Sequence, residues 1–174
     1  MYFWEMQLKA YIKYRRARVN AHGIHSPFVF EFYEQVVKQA YRVEDSRITA
    51  YHKKLRADRR VLPVVDFGAG SRIHKKTHRT VSEIARTAAI NGKFGKLLSR
   101  MIEYYKLQQV VELGTSLGMG TLYLSQPQCV KKVVTAEGSP EIAAIARETF
   151  ALFNRDQIQL KVGKFDALLE SIAD

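Results

Sequence analysis

The residues best suited to chemistry lie in the second half of the chain, where a glycine-rich stretch stands between two glutamates. The stretch reads Glu112-x-Gly114-x-x-x-Gly118-x-Gly120 and follows an apolar run, while Glu137 ends the next apolar run. Glycine allows a backbone to approach a ligand closely and to adopt positive φ. A strand, a glycine-rich turn and the start of a helix are together the parts of a site for a nucleotide-type cofactor.

The interval between the turn and the second glutamate agrees with such a site. Glu137 comes 23 residues after Gly114, near the usual interval between a glycine turn and the acid that binds ribose. A carboxylate at the end of the adjacent strand would lie beside the turn and accept hydrogen bonds from both ribose hydroxyls. The sequence therefore predicts a nucleoside-containing cofactor. The alternative is that Glu112 and Glu137 are ordinary acids at strand ends.

The spacing of the glycines distinguishes between cofactors. A dinucleotide site is typified by G-x-G-x-x-G, and this turn has a different spacing. Glu112 stands two residues before Gly114, where its charge would repel a pyrophosphate and would suit a ligand with a cationic amino group. A nicotinamide-dependent enzyme is therefore disfavoured.

This stretch resembles the first motif of class I S-adenosylmethionine-dependent methyltransferases, especially of their O-methyltransferase-like branch. The resemblance covers about residues 91–170, including the turn, Ala136-Glu137-Gly138-Ser139-Pro140-Glu141 and the segment 163–166. It implies S-adenosylmethionine as the cofactor and direct displacement of its methyl group by a hydroxyl or nitrogen nucleophile. The methyl acceptor itself is not identified. A non-catalytic basic module that binds RNA or an anionic membrane surface is the alternative function.

The resemblance also implies roles for single residues at the methionine end of the cofactor. Glu112 would hold this end together with the backbone of three turn residues, Gly114, Thr115 and Ser116. We assign no catalytic base and no metal ligand.

Further residues are implied at the turn and at the nucleoside end. Gly118 and Thr121 would shape the turn and begin the following helix, and Glu137 would bind the ribose hydroxyls. Phe165 or Asp166 would lie beside the adenine.

Apolar patterns along the chain predict alternating strands and helices, as in an α/β fold. Strands are predicted at 110–113, 132–137 and 157–162. Helices are predicted at 2–18, 42–60, 80–89 and 94–105, and another from Ala167. Ser26-Pro27 and Ser139-Pro140 predict helix starts, and Asn91-Gly92 predicts the end of the helix before it.

The resemblance implies a Rossmann-like three-layer sandwich with parallel strands, of which this chain holds the first three of the usual seven. A basic α-helical N-terminal extension (1–60) and a glycine-turn loop with a connecting helix (61–90) would precede the cofactor-binding part (91–174). We expect that part to be incomplete at the C-terminus, with the fourth strand beginning past Asp174. Cofactor binding is accordingly a safer expectation for this chain than turnover.

A second glycine turn, Asp66-Phe67-Gly68-Ala69-Gly70, follows the apolar residues 61–65. Pro63 would remove a hydrogen-bond donor from a central strand, and no strand ending in an acid follows about 20 residues later. We interpret this turn as part of a basic surface loop, or as a loop that holds an anionic part of a substrate. For His22 and His25, helix capping or loop hydrogen bonding is favoured over the alternative of a metal site or a general base.

Cysteine content and the N-terminal residues indicate a compartment. Cys129 is the only cysteine, which excludes an internal disulfide and favours a reducing environment. Glu5, Gln7 and Lys9 interrupt the apolar core that a signal peptide would need. A cytoplasmic location is therefore predicted.

The net charge of +11 is concentrated in the first half of the chain. Residues 1–90 hold 18 Lys and Arg against 8 Asp and Glu, whereas residues 91–174 hold 10 against 9. Such asymmetry suggests contact between residues 1–90 and a polyanion, or else a solvated basic surface with no specific partner. The aromatic and basic helix at 2–18 could pack on its own domain or on a second subunit, and the latter would give a homo-oligomer. Contact of this helix with a membrane interface is the alternative.

Overall fold

The computed structural model describes residues 7–13, 25–40, 46–64 and 78–166. The first part of the chain forms α1 (residues 7–13), α2 (Pro27–Phe32), a π-helical turn (Tyr33–Val37), α3 (Lys38–Ala40), α4 (Ser46–Ala57), β1 (Val61–Pro63) and β2 (His78–Thr80). The second part forms α5 (Val81–Thr87), α6 (Gly92–Tyr105), β3 (Gln109–Leu113), α7 (Met119–Leu124), β4 (Lys132–Glu137), α8 (Pro140–Leu152) and β5 (Ile158–Val162).

A parallel sheet with the strand order β3-β4-β5 lies at the centre of the second part. Val111 pairs with Val134, and Thr135 lies between Glu112 on one side and Leu160 on the other. The parallel sheet and its connecting helices confirm the predicted α/β class. Because parallel strands end at one edge, the turn after β3 lies beside the end of β4.

The strands β1 and β2 form a separate antiparallel pair, in which Pro63 pairs with His78. Residues 61–63 therefore do not belong to the parallel sheet, in agreement with the preference for the turn after β3. His25 is exposed just before α2. Several predicted features lie outside the described residues: the glycine turn at 66–70, His22, both ends of the predicted helix 2–18, and the helix from Ala167.

Two serine-proline pairs begin helices as predicted. The Ser26 hydroxyl accepts a hydrogen bond from the Val29 amide, and Pro27 is the first residue of α2. Ser139 precedes α8, which begins with Pro140. The fixed φ of proline and its missing N–H suit this first helical position.

The prediction that Asn91 and Gly92 end a helix is wrong. The preceding helix, α5, already ends at Thr87, and Asn91 instead caps the start of α6 by accepting a hydrogen bond from the Lys93 amide at 2.9 Å. Asparagine is favoured at both ends of helices, so its type alone does not tell which end it occupies.

The main hydrophobic core joins helices from both parts of the chain. Ile48 and Leu55 of α4 and Ile84 of α5 are buried together with side chains of the turn after β3, of α7 and of α8. On its outer side α4 exposes Lys53 and Lys54, so it corresponds to the basic helix predicted at 42–60. It ends at Ala57, three residues before the predicted end, and residues 42–45 lie outside the described residues. None of the described helices has the combination of length and apolarity required to cross a membrane.

Candidate functional site

The turn between β3 and α7 contains three residues with positive φ: Gly114 (99°), Ser116 (49°) and Gly118 (82°). This region of φ favours glycine, which has no Cβ to collide with the backbone. The amides of Gly114 and Thr115 both donate to the Ala136 carbonyl, at 2.9 and 3.0 Å. The turn is thereby held against the end of β4.

A pocket of about 210 Å³ opens beside this turn. One wall is formed by residues 112–117 with Met119 and Gly120, and the other by Ala88, Ala89 and Ile90. A Cβ built on Gly114 would have no atom of the described residues within 4 Å. A ligand can therefore approach the Gly114 backbone directly.

The wall formed by Ala88, Ala89 and Ile90 is missed by reasoning from the sequence. These residues link α5 to α6 and carry no reactive or charged group. The available signal is topological, because α6 leads within a few residues into β3. The start of α6 must therefore return to the carboxyl edge of the sheet, where the turn lies.

Glu137 joins the turn to the start of α8. Its Oε2 accepts a hydrogen bond from the Ser116 amide at 2.8 Å, and its Oε1 accepts one from the Ser139 amide at 3.0 Å. An ionised carboxylate has about four acceptor positions, so about two remain for donors of a ligand. The structure thus brings Glu137 to the turn, as the 23-residue interval from Gly114 suggests.

The Glu112 carboxylate is oriented by buried threonine hydroxyls. Thr121 and Thr135 donate to its Oε2 at 2.5 and 2.6 Å. Thr115 Oγ1 lies 2.6 Å from Thr135 Oγ1 and must be the donor, because the single hydroxyl proton of Thr135 is given to Glu112. The other carboxylate oxygen lies over Gly120, where a Cβ would come within 2.6 Å of Glu112 Oε1.

Four of the predicted site residues lie outside the pocket wall: Gly118, Thr121, Glu137 and Asp166. Glu137 contacts the wall through the Ser116 amide, and Gly118 stands at the start of α7. Thr121 is fully buried and acts on the site by holding Glu112, and α7 begins before it, at Met119. Asp166 is exposed beyond the end of β5. Its assignment to the adenine stays a prediction, as does that of Phe165.

The electrostatic environment of Glu112 suits a bound cation. Burial raises the pKa of the Glu112 carboxyl above its ordinary value, the charge of Glu137 raises it further, and the hydrogen bonds from Thr121 and Thr135 lower it. Within the described part of the chain, no cationic side chain is among the causes of this pKa shift. A positively charged ligand group would therefore supply compensation that the surroundings of this carboxylate lack.

Replacing Glu112 by glutamine is expected to raise the melting temperature at pH 8 and to lose this advantage as the pH falls to the ordinary glutamate value of 4.5. The folded protein holds the Glu112 proton to a higher pH than the unfolded chain does, so wild-type stability falls as the pH rises through this window. Glutamine carries no charge and escapes this loss. Thermal unfolding of both proteins between pH 4 and pH 8 measures the difference between their melting temperatures. A difference that stays constant over this pH range would contradict the raised pKa of Glu112.

No protein-family model and no curated protein matches the sequence. Solved structures do match. The chain superposes with a TM-score of 0.56 on the Streptomyces achromogenes O-methyltransferase of tomaymycin synthesis, at 15% identity over 81% of this chain and 53% of that one. For the Bacillus cereus O-methyltransferase the TM-score is 0.55, at 16% identity over 81% of this chain and 55% of that one. The chain has the class I methyltransferase fold.

A third structure of the methyltransferase fold, from Podospora anserina, gives a TM-score of 0.56 at 17% identity over 86% of this chain and 56% of that one. The chain spans about half the length of these three proteins, from 53% to 56%. Because at least 81% of this chain is covered in each of them, the structural likeness extends into residues 1–90. The sequence resemblance, which covers about residues 91–170, did not include that region.

Proposed function

We propose that the chain binds S-adenosylmethionine at the carboxyl edge of its parallel sheet and takes part in methyl transfer to a hydroxyl or nitrogen acceptor. The observation that carries this proposal is the position of Glu137, which binds the Ser116 amide at 2.8 Å beside the open backbone of Gly114. The structural neighbours support it, since the S. achromogenes enzyme is in complex with S-adenosylmethionine and the other two hold S-adenosylhomocysteine.

The residues present fit the chemical groups of this cofactor. Glu112 is a partly buried carboxylate whose pKa is influenced by no cationic side chain of the described residues, so it suits the cationic amino group of the methionine end. The Ser116 hydroxyl oxygen is buried and has no hydrogen-bond partner in the described residues, which suits a polar group of the ligand. Glu137 has acceptor positions left for the ribose hydroxyls, and the Gly114 backbone faces open space.

In this proposal the chain contributes orientation to the reaction. S-adenosylmethionine supplies a methyl group activated on a sulfonium sulfur. Glu137 and Glu112 hold the cofactor at two separate points, and the turn between them is tied to β4 by the hydrogen bonds to Ala136. Orientation of the reacting groups supplies a large part of the rate of a direct displacement.

Calorimetric titration with S-adenosylmethionine is expected to give a dissociation constant between about 1 µM and 1 mM, the usual range for enzyme ligands. A cationic amino group next to Glu112 lowers the pKa of that carboxyl, so binding at acidic pH is expected to release protons. Titrations in two buffers of different ionisation enthalpy measure this release, and Glu112→Gln is expected to abolish it. If a chain shown to be folded gave no heat of binding, this result would contradict the proposed function.

The comparisons give no support to the alternative of a non-catalytic module for RNA or a membrane surface. Contact between residues 1–90 and a polyanion remains a proposal about a partner, supported by the exposed Lys53, Lys54 and Arg56 of α4. It requires binding that weakens with salt. Homo-oligomer formation and a cytoplasmic location likewise stay predictions.

A further inference from the structure

The inner side of the glycine turn rests on α8. Leu117 is fully buried, and its carbonyl accepts a hydrogen bond from Thr149 Oγ1 at 3.0 Å. The next residue, Gly118, packs against the same helix, because a Cβ there would come within 2.7 Å of Phe150 Cε1. The position of the turn therefore depends on Thr149 and Phe150.

Tyr51 of α4 extends this hydrogen-bonded chain. Its hydroxyl lies 3.1 Å from Thr149 Oγ1. Thr149 is fully buried, and its single proton is directed to the carbonyls of Leu117 and Ile145, each 3.0 Å away. Tyr51 must therefore be the donor to Thr149, and Thr149 shares its proton between the Leu117 carbonyl of the turn and the Ile145 carbonyl of α8.

Contacts on both sides of Tyr51 hold α4 against α8. The Tyr51 ring meets Phe153 edge-on with centroids 5.5 Å apart, and the Arg47 guanidinium lies 4.6 Å above the centre of the Phe153 ring. Beyond the end of α4, Arg60 Nη1 binds both carboxylate oxygens of Glu148 at 3.0 and 3.1 Å. The Tyr51 hydroxyl is thus directed at Thr149 by a packed interface.

The adjacent residue of α4 reaches the other wall of the pocket. His52 Nε2 lies 3.0 Å from the Ala85 carbonyl of α5. The residues that follow α5, Ala88 to Ile90, form the wall opposite the turn. Two neighbouring side chains of α4 therefore contact the helices that support both walls.

We propose that α4 positions the glycine turn, and that Tyr51 is a positioning residue acting through Thr149 on the Leu117 carbonyl. The helix contributes no residue to the pocket wall, yet it is bound to both elements behind that wall. The N-terminal helical region in this way supports the ligand site from behind. The proposed effect on the turn concerns the ligand-free chain, whereas the effect on affinity rests on the proposed function.

Hydrogen exchange of the ligand-free full chain tests this inference. In Tyr51→Phe and in Thr149→Val, the amides of Ser116 and Gly118 are expected to exchange about three- to tenfold faster, the size of one net hydrogen bond. The amides of β4 are expected to keep their rates. Tyr105→Phe is the matched control, because Tyr105 is exposed at the end of α6, and it is expected to change neither set.

The double variant separates positioning from general stability. If Tyr51 acts through Thr149, adding Tyr51→Phe to Thr149→Val produces no further change at Ser116 and Gly118. Unchanged exchange in the turn of Tyr51→Phe, or an equal acceleration throughout the sheet, would overturn the inference.

Affinity for S-adenosylhomocysteine is expected to fall about three- to tenfold in Tyr51→Phe. If the wild-type chain also failed to bind S-adenosylhomocysteine, this result would contradict the proposed function. The hydrogen-exchange rates would still decide the role of Tyr51.

Discussion

Replacing Glu137 by alanine is expected to lower the affinity for S-adenosylmethionine by about 100-fold or more. In the proposed complex the Glu137 carboxylate accepts hydrogen bonds from two ribose hydroxyls, in addition to those from the amides of Ser116 and Ser139. Hydrogen bonds to a charged group contribute about 1.5–3 kcal/mol each, so the loss of two exceeds the roughly 2.7 kcal/mol that corresponds to 100-fold. The Ser116 amide also loses its partner, which loosens the turn. Isothermal titration calorimetry measures the change.

Glu141→Ala is the matched control for this variant. It removes the same charge in the first turn of α8, where Glu141 accepts a hydrogen bond from the Ser139 hydroxyl at 3.0 Å. Because Glu141 makes no hydrogen bond to the turn, we expect Glu141→Ala to bind S-adenosylmethionine within about threefold of the wild-type affinity. Single partly solvated charges generally have effects of this small size. Glu137→Gln keeps one acceptor oxygen and is expected to be intermediate. Equal affinities of wild type and Glu137→Ala would refute the assignment of ribose binding to Glu137.

Replacing Gly95 by alanine is expected to lower the free energy of unfolding by about 3 kcal/mol, the upper end for overpacking. A Cβ on Gly95 would lie 2.2 Å from Cδ2 and 2.6 Å from Cε2 of the Tyr123 ring. Tyr123 is only 3% exposed, so its ring cannot move without opening the contact between α6 and α7. For a chain of this length, thermal unfolding should show a melting temperature about 6–12 °C lower.

Gly92→Ala tests the same helix without the same collision. Its Cβ would lie 3.3 Å from the Tyr123 hydroxyl oxygen, the far end of the side chain, which can shift by a few tenths of an ångström. Alanine is also the better helix former by about 1 kcal/mol, so we expect a stability within about 1 kcal/mol of wild type. If Gly95→Ala were as stable as Gly92→Ala, close packing of α6 on α7 would not be the reason for glycine at position 95.

The strands and most helix starts could be predicted because they depend on residues close together in the chain. Alternating or continuous apolar residues predict β3, β4 and β5 within about one residue of their observed ends. The wrong assignment of Asn91 has the same local origin. Its side chain can satisfy a free backbone group at either end of a helix, and only the folded chain decides which end is used.

Part of the candidate site could also be predicted from the sequence. The glycine turn and Glu137 each follow a strand, and neighbouring parallel strands must bring their carboxyl ends together. The meeting of Glu137 with the Ser116 amide is therefore a consequence of strand order. Glu112 could be predicted as a site residue for the same reason, because it stands near the end of the strand that leads into the glycine turn.

The orientation and support of these groups were decided only by the tertiary structure. Thr135 holds Glu112 across two strands, and the hydroxyls of Tyr51 and Thr149 meet from positions 98 residues apart. A threonine or tyrosine hydroxyl has no sequence pattern that identifies its partner, because the partner is chosen by the packing of helices on the sheet. The sequence by itself thus determined which residues stand at the edge where a cofactor would bind. Packing of α4, α5 and α8 behind that edge decided how the turn is held.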